Sequence, residues 1–93
     1  MRRSTLAQML RGRFPALPAK TIDAMTDAVF ETIMDGVARG RRVEIRRFGT
    51  FSASALGRRI LRNPRSGEVM EAPPRRMPRF KAGRRLREMV DRG

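Results

Sequence analysis

An α+β fold is predicted for this 93-residue chain by three features. Apolar side chains recur at a helical period up to about residue 39, and from Arg41 the period becomes two. Charge divides at the same place. Residues 1–40 hold six basic and four acidic side chains, a net +2, whereas residues 41–93 hold sixteen and five, a net +11. The first part therefore reads as a structural core and the second as a binding surface. A chain of this length makes one small domain or half of an intertwined dimer.

The elements follow in order. Thr5 to about Phe14 reads as a short helix with Leu6, Met9 and Leu10 on one face, and Thr5-Leu6-Ala7-Gln8 fits a capping box. Pro15 and Pro18 break the pattern. A longer helix is predicted from about Pro18, suited to a first turn, to Arg39, with Gly40 at the position just past its end. Its apolar residues, Ile22, Met25, Val29, Phe30, Ile33, Met34 and Val37, cover more than one stripe. One face serves the first helix. The extra width at Phe30 and Met34 suits either the core of a monomer or a second subunit, and so short a chain favours the subunit.

From Arg41, Val43 and Ile45 alternate with Glu44 and Arg46, Phe48-Gly49 marks a turn, and Phe51, Ala53 and Ala55 alternate with Thr50, Ser52 and Ser54. The result is a hairpin with one buried and one polar face. Residues 57–76 hold few core-quality side chains, and Asn63-Pro64-Arg65-Ser66-Gly67 is turn chemistry. They read as a second hairpin projecting from the body, a disordered basic loop being the alternative. Pro73-Pro74 interrupts any strand there. Met77 to Phe80 forms a short return strand, and Ala82 or Gly83 to Val90 a last helix with Leu86, Met89 and Val90 inward.

Composition bounds the chemistry. The formal charge is +13, an excess tolerated chiefly beside a polyanion such as DNA. All but two of the basic residues, Lys20 and Lys81, are arginine, whose planar fork suits phosphates and base edges, although codon bias produces the same preference. Cysteine and histidine are absent, which excludes disulfides, thiolate metal sites and histidine catalysis. Asp23, Asp27, Glu31 and Asp35 form a solvated helix face rather than an enzyme site. No apolar run reaches the roughly 20 residues of a membrane span, so the expected location is cytoplasmic, at the nucleoid. No cofactor is expected. Arg62-Asn63-Pro64 on a basic hairpin joins arginines suited to the minor groove with an apolar ring suited to wedging between base pairs.

Phe48-Gly49-Thr50-Phe51, Arg62-Asn63-Pro64-Arg65-Ser66-Gly67 and Phe80-Lys81-Ala82-Gly83-Arg84-Arg85-Leu86 together resemble, in order and spacing, the signature stretches of the HU and integration host factor family of bacterial DNA-bending proteins. Glu44 and Arg46 are most similar to its β-subunit branch. The resemblance implies an intertwined dimer with a helical base, a β-sheet saddle and two protruding β-hairpin arms. It divides the single domain 1–93 into a helical dimerisation part (1–40), a saddle (41–81) with an arm at about 56–76, and a C-terminal helix (82–93). The dimer, homomeric or with a related subunit, would close over Phe30, Ile33, Met34, Phe48, Phe51 and Phe80.

The function implied is architectural and non-enzymatic: bending double-stranded DNA in nucleoid organisation, recombination, replication or transcription. Pro64 would intercalate. Arg46, held by Glu44, and Arg62, Asn63 and Arg65 would enter the minor groove. Lys20, Arg47, Arg58, Arg59, Arg75, Arg76, Arg79 and Lys81 would contact the backbone. The sequence departs from the family at Arg47 and Leu61, where glycine is usual, and at Pro73-Pro74. Two other readings compete. A basic RNA-binding or ribosome-associated protein would stack bases on aromatics, but the five phenylalanines fall mostly at core positions. A membrane-surface protein would need the short last helix, whose apolar face the core requires.

Overall fold

A computed structural model describes residues 1–93. The order is α1 (Arg3–Arg13), α2 (Ala19–Ala38), β1 (Val43–Ile45), β2 (Gly49–Leu56), β3 (Arg59–Arg62), β4 (Val69–Ala72), β5 (Arg75–Ala82) and α3 (Arg84–Arg92). This is the α+β succession expected from the sequence, with β3 and β4 as the projecting hairpin. No helix is long and apolar enough to cross a membrane.

The expected capping box does not form. The Leu6 amide donates to the Arg2 carbonyl (3.1 Å), so the first turn closes around Arg2, which has no side-chain cap bond. Thr5 is therefore already helical and cannot offer its hydroxyl as an N-cap. The end of α2 is as predicted. Gly40 has φ +80°, its amide donates to Val37 (3.0 Å), and the Arg41 amide reaches back to Gly36 (2.9 Å). That pair of bonds satisfies the last carbonyls and needs a left-handed residue, which glycine adopts without strain.

The chain forms two compact units, Met1–Asp35 and Gly36–Gly93. In the first, Ala7 and Ile22 are buried, and buried Thr26 satisfies its hydroxyl by donating to the Ile22 carbonyl (2.8 Å). The acidic residues read as solvated charge are engaged instead. Arg11 forks onto Asp23, and Arg3 lies 3.4 Å from Asp27 and 3.8 Å from Glu31. The hydrogen bond to Asp23 holds the Arg11 guanidinium above its ordinary range. All these groups are substantially exposed, so the pairs align the helices more than they stabilise them. Beside them, Leu6, Met9, Leu10, Val29 and Phe30 line an apolar groove open to solvent.

In the second unit a three-stranded antiparallel sheet has the order β1-β2-β5, and β3 pairs only with β4. The return strand is eight residues, longer than the Met77–Phe80 expected, because β5 is an edge on which Pro78 forfeits no needed ladder bond. The registers Leu56↔Arg75 and Arg59↔Ala72 show one ladder interrupted for two positions, at Gly57-Arg58 and Pro73-Pro74, and resumed without slippage.

Phe48, Phe51 and Phe80 meet with ring centroids 4.7–6.2 Å apart. Gly49 makes that cluster possible, since a Cβ there would stand 2.5 Å from the Phe80 ring and 2.6 Å from the Lys81 carbonyl oxygen. Gly49→Ala should therefore cost about 1–3 kcal/mol in chemical denaturation. Gly12→Ala, at a helical position with nothing within 4 Å, should gain up to about 1 kcal/mol. A neutral Gly49→Ala would refute the close approach.

Arg47 has φ +71°, a conformation costing a non-glycine residue about 1–2 kcal/mol. This explains why glycine would suit the position. In α3 the expected inward face is mostly open: Leu86 is half-buried, but Met89 and Val90 are 54% and 71% exposed. Within the single chain nothing covers the end of so short a helix.

Candidate nucleic-acid interface

Strand register sorts the basic residues. Directly opposed residues share a face, so Glu44, Thr50, Ser52, Ser54, Arg75, Arg79 and Lys81 lie on one side of the sheet. Val43, Ile45, Phe51, Ala53, Ala55, Pro78 and Phe80 lie on the other. The first side sets three hydroxyls beneath three cations, with half-buried Leu56 and Met77 at the end nearer the ribbon, and Arg79 is steadied there by donating to the Ser54 hydroxyl (2.6 Å).

Arg76 does not join them. It sits on the phenylalanine side, and its guanidinium donates to the carbonyls of Ala38 (3.2 Å) and Val37 (3.5 Å). The end of α2 is electronegative and its last carbonyls lack helical partners, so this arginine serves as a C-terminal cap. Within the chain, this arginine, expected among the backbone contacts, is engaged with the end of α2. The alternation of Arg76, Pro78 and Phe80 sorts Arg76 to this side only once β5 extends back to Arg75.

The turn places Arg46 differently from the simple alternation. β1 ends at Ile45, and Arg46, Arg47 and Phe48 form the turn, with both arginines exposed. Arg46 and Glu44 are not joined within the chain. Lys20 is exposed in the first turn of α2.

The β3–β4 ribbon carries the remaining candidates. At its tip the Asn63 amide donates to Glu68 (2.8 Å) and the Gly67 amide to Asn63 (2.8 Å). The Asn63 side-chain oxygen accepts from the Arg65 amide (2.9 Å), and the Ser66 hydroxyl from the Glu68 amide (3.2 Å). Gly67, at φ +72°, completes the loop. Pro64 is exposed at its head, and Arg62 and Arg65 flank it. Arg58 pairs across the ribbon with Glu71 (3.0 Å), an ion pair that sequence reasoning missed because it depends on register. Arg59 is half-buried, and its buried Nε donor has no partner in the chain.

Of the expected dimer residues, Phe48 and Phe80 are 44% and 43% exposed, Met34 is 53% exposed, and Phe30, Ile33 and Phe51 are half-buried. They are apolar side chains only partly covered by their own chain.

Residues 1–91 match the bacterial DNA-binding protein family. The chain is 44% identical over 91 residues to integration host factor subunit beta of Azoarcus sp. strain BH72, covering 98% of this chain and 97% of that protein. The corresponding protein of Nitrosomonas europaea is 39% identical over 93 residues, covering 100% and 89%. Among solved structures, HU from Anabaena in a DNA cocrystal superimposes with a TM-score of 0.86 at 34% identity, over 97% of both chains.

Proposed function

We propose, because the chain belongs to the bacterial DNA-binding protein family of HU and integration host factor, that it works as a dimer which grips double-stranded DNA through the minor groove and bends it. The observation that carries this reading is the β3–β4 ribbon. It continues the ladder of a cationic sheet face in register, has no core of its own, and ends in an exposed proline between arginines. Burial does not explain such a ribbon. It fits the shape of a duplex groove, where arginines meet concentrated negative potential and an apolar tip opens a base step.

In this arrangement Pro64 is the wedge. Arg46, Arg62, Asn63 and Arg65 face the minor groove, and the Asn63 side-chain NH2 stays available as a donor because the turn uses only the side-chain oxygen. Lys20, Arg47, Arg58, Arg59, Arg75, Arg79 and Lys81 neutralise phosphates. Arg76 holds the body together instead. The role is architectural, at the nucleoid, and the partner subunit is a second copy or a related chain, which the mass of the purified protein distinguishes.

Salt titration tests this. Log affinity for a DNA duplex should fall linearly with log salt, with a slope of about −0.9 per phosphate neutralised. Arg79→Ala should flatten the slope by about one unit for each phosphate that Arg79 neutralises. Arg76→Ala should leave the slope intact and lower thermal stability. A slope near zero for the parent protein, or equal flattening by both variants, would overturn the assignment.

A further inference from the structure

The ribbon is more apolar than a phosphate-binding device needs. Ile60 is 78% exposed, Val69 56%, Met70 52% and Leu61 41%. Leu61 and Met70 oppose each other directly on the face that carries Arg59, and Ile60 and Val69 lie on the face that carries Arg62. The face of Leu61 and Met70 presents arginine together with bare hydrocarbon; the face of Ile60 and Val69 presents the same with Glu71 added, whose charge Arg58 answers. A two-stranded ribbon with nothing behind it gains from such side chains only the small energy of cross-strand pairs and leaves them largely exposed, so they mark a contact surface. The arginines among them fit a polyanion whose groove walls are themselves apolar.

Resting on the DNA-binding reading above, we propose that the apolar pair on the duplex-facing side of the ribbon, Leu61 with Met70 or Ile60 with Val69, selects deoxyribose over ribose. The walls of a duplex minor groove are sugars. Deoxyribose offers only C–H surface there, whereas RNA displays its 2′-hydroxyls. A Leu61 or Met70 pressed on a 2′-hydroxyl strips its water and returns no hydrogen bond, a penalty of roughly fivefold or more in affinity for each hydroxyl so covered. Against deoxyribose the same packing removes apolar surface from water and is favourable. Leu61 thus acquires a role beyond filling a position where glycine suffices.

The test compares one duplex sequence as DNA and as RNA, bound by the parent dimer and by L61T/M70T and I60T/V69T. Threonine keeps strand propensity and supplies a hydroxyl partner for ribose. The parent should favour DNA by about tenfold or more. At least one variant should narrow that ratio about fivefold or more, chiefly by binding RNA better, with dimer mass and thermal midpoint unchanged. If both affinities move together and the ratio holds, helix shape alone discriminates and the proposal fails. It also fails if a variant loses its dimer mass, because the side chains then seat on a second copy. DNA binding with an unchanged ratio overturns this inference alone; a parent that binds no DNA overturns the functional reading as well.

Discussion

Phe30→Asp is expected to leave an unfolded monomer that binds no DNA. The chain buries only two apolar side chains, Ala7 and Ile22, and no side chain is buried completely. Ordering a backbone costs about 1–2 kcal/mol per residue, and so little burial cannot offset that over 93 residues. The dimer proposed above would supply the missing cover, and the fold and the dimer would then be one equilibrium. Phe30 sits where this matters, in the open groove with Leu6, Met9, Leu10 and Val29, its ring 5.9 Å from the Arg3 guanidinium. A carboxylate there would be desolvated at the closing surface and would stand beside Asp27 and Glu31, which Arg3 already serves. Calorimetry across protein concentrations checks the premise. A tenfold rise contributes about 1.4 kcal/mol to a dimer and should lift the midpoint by about 3–5 °C for a paired unit of this size. A concentration-independent midpoint with a monomeric mass would refute the coupling, and a Phe30→Asp protein that still melts cooperatively as a dimer would remove Phe30 from the interface.

Much of this architecture is legible in the order of residues. The change of period after Arg39, the glycine that ends α2, the interruption at Pro73-Pro74 and the turn from Asn63 to Gly67 each express a local rule, and local rules act without knowledge of the rest of the fold. The features that sequence does not disclose have a common cause. Where α1 starts depends on which of several small energies closes its first turn, and the Arg2 carbonyl does so ahead of the Thr5 hydroxyl. Charge alone groups Arg76 with its neighbours, whereas its face depends on how far β5 extends, and the edge position of Pro78 decides that. The Arg58–Glu71 pair and the strain at Arg47 likewise follow from register and turn geometry. An apolar stripe announces that a face will be covered but does not name the cover, which is why Met89 and Val90 are predicted inward and stand exposed in the single chain.

Pro64→Ala should separate gripping from bending. The tip holds itself by bonds among Asn63, Arg65, Ser66, Gly67 and Glu68, none of which involves Pro64. Losing the ring therefore costs only the entropy that proline removes from the unfolded chain, about 0.4–1 kcal/mol, in a ribbon with no core to unravel. Dimer mass should persist and the thermal midpoint should change little. The effect belongs on the DNA. A ring between base pairs costs a few kcal/mol of unstacking, recovered because the bent duplex meets more of the cationic surface. Alanine is too small to hold the step open. Energy transfer between the ends of a labelled duplex should report a straighter complex, and affinity for intact DNA should fall by about tenfold or more. Pyrimidine–purine steps unstack most readily, so the parent should favour them at its two kinks. DNA already nicked or gapped there has lost part of its stacking; it should bind the parent more tightly than intact duplex, and that advantage should shrink in the variant because neither partner then has to open the step. An alanine variant that bends DNA as well as the parent would leave Pro64 a turn residue and the arms a grip without a wedge.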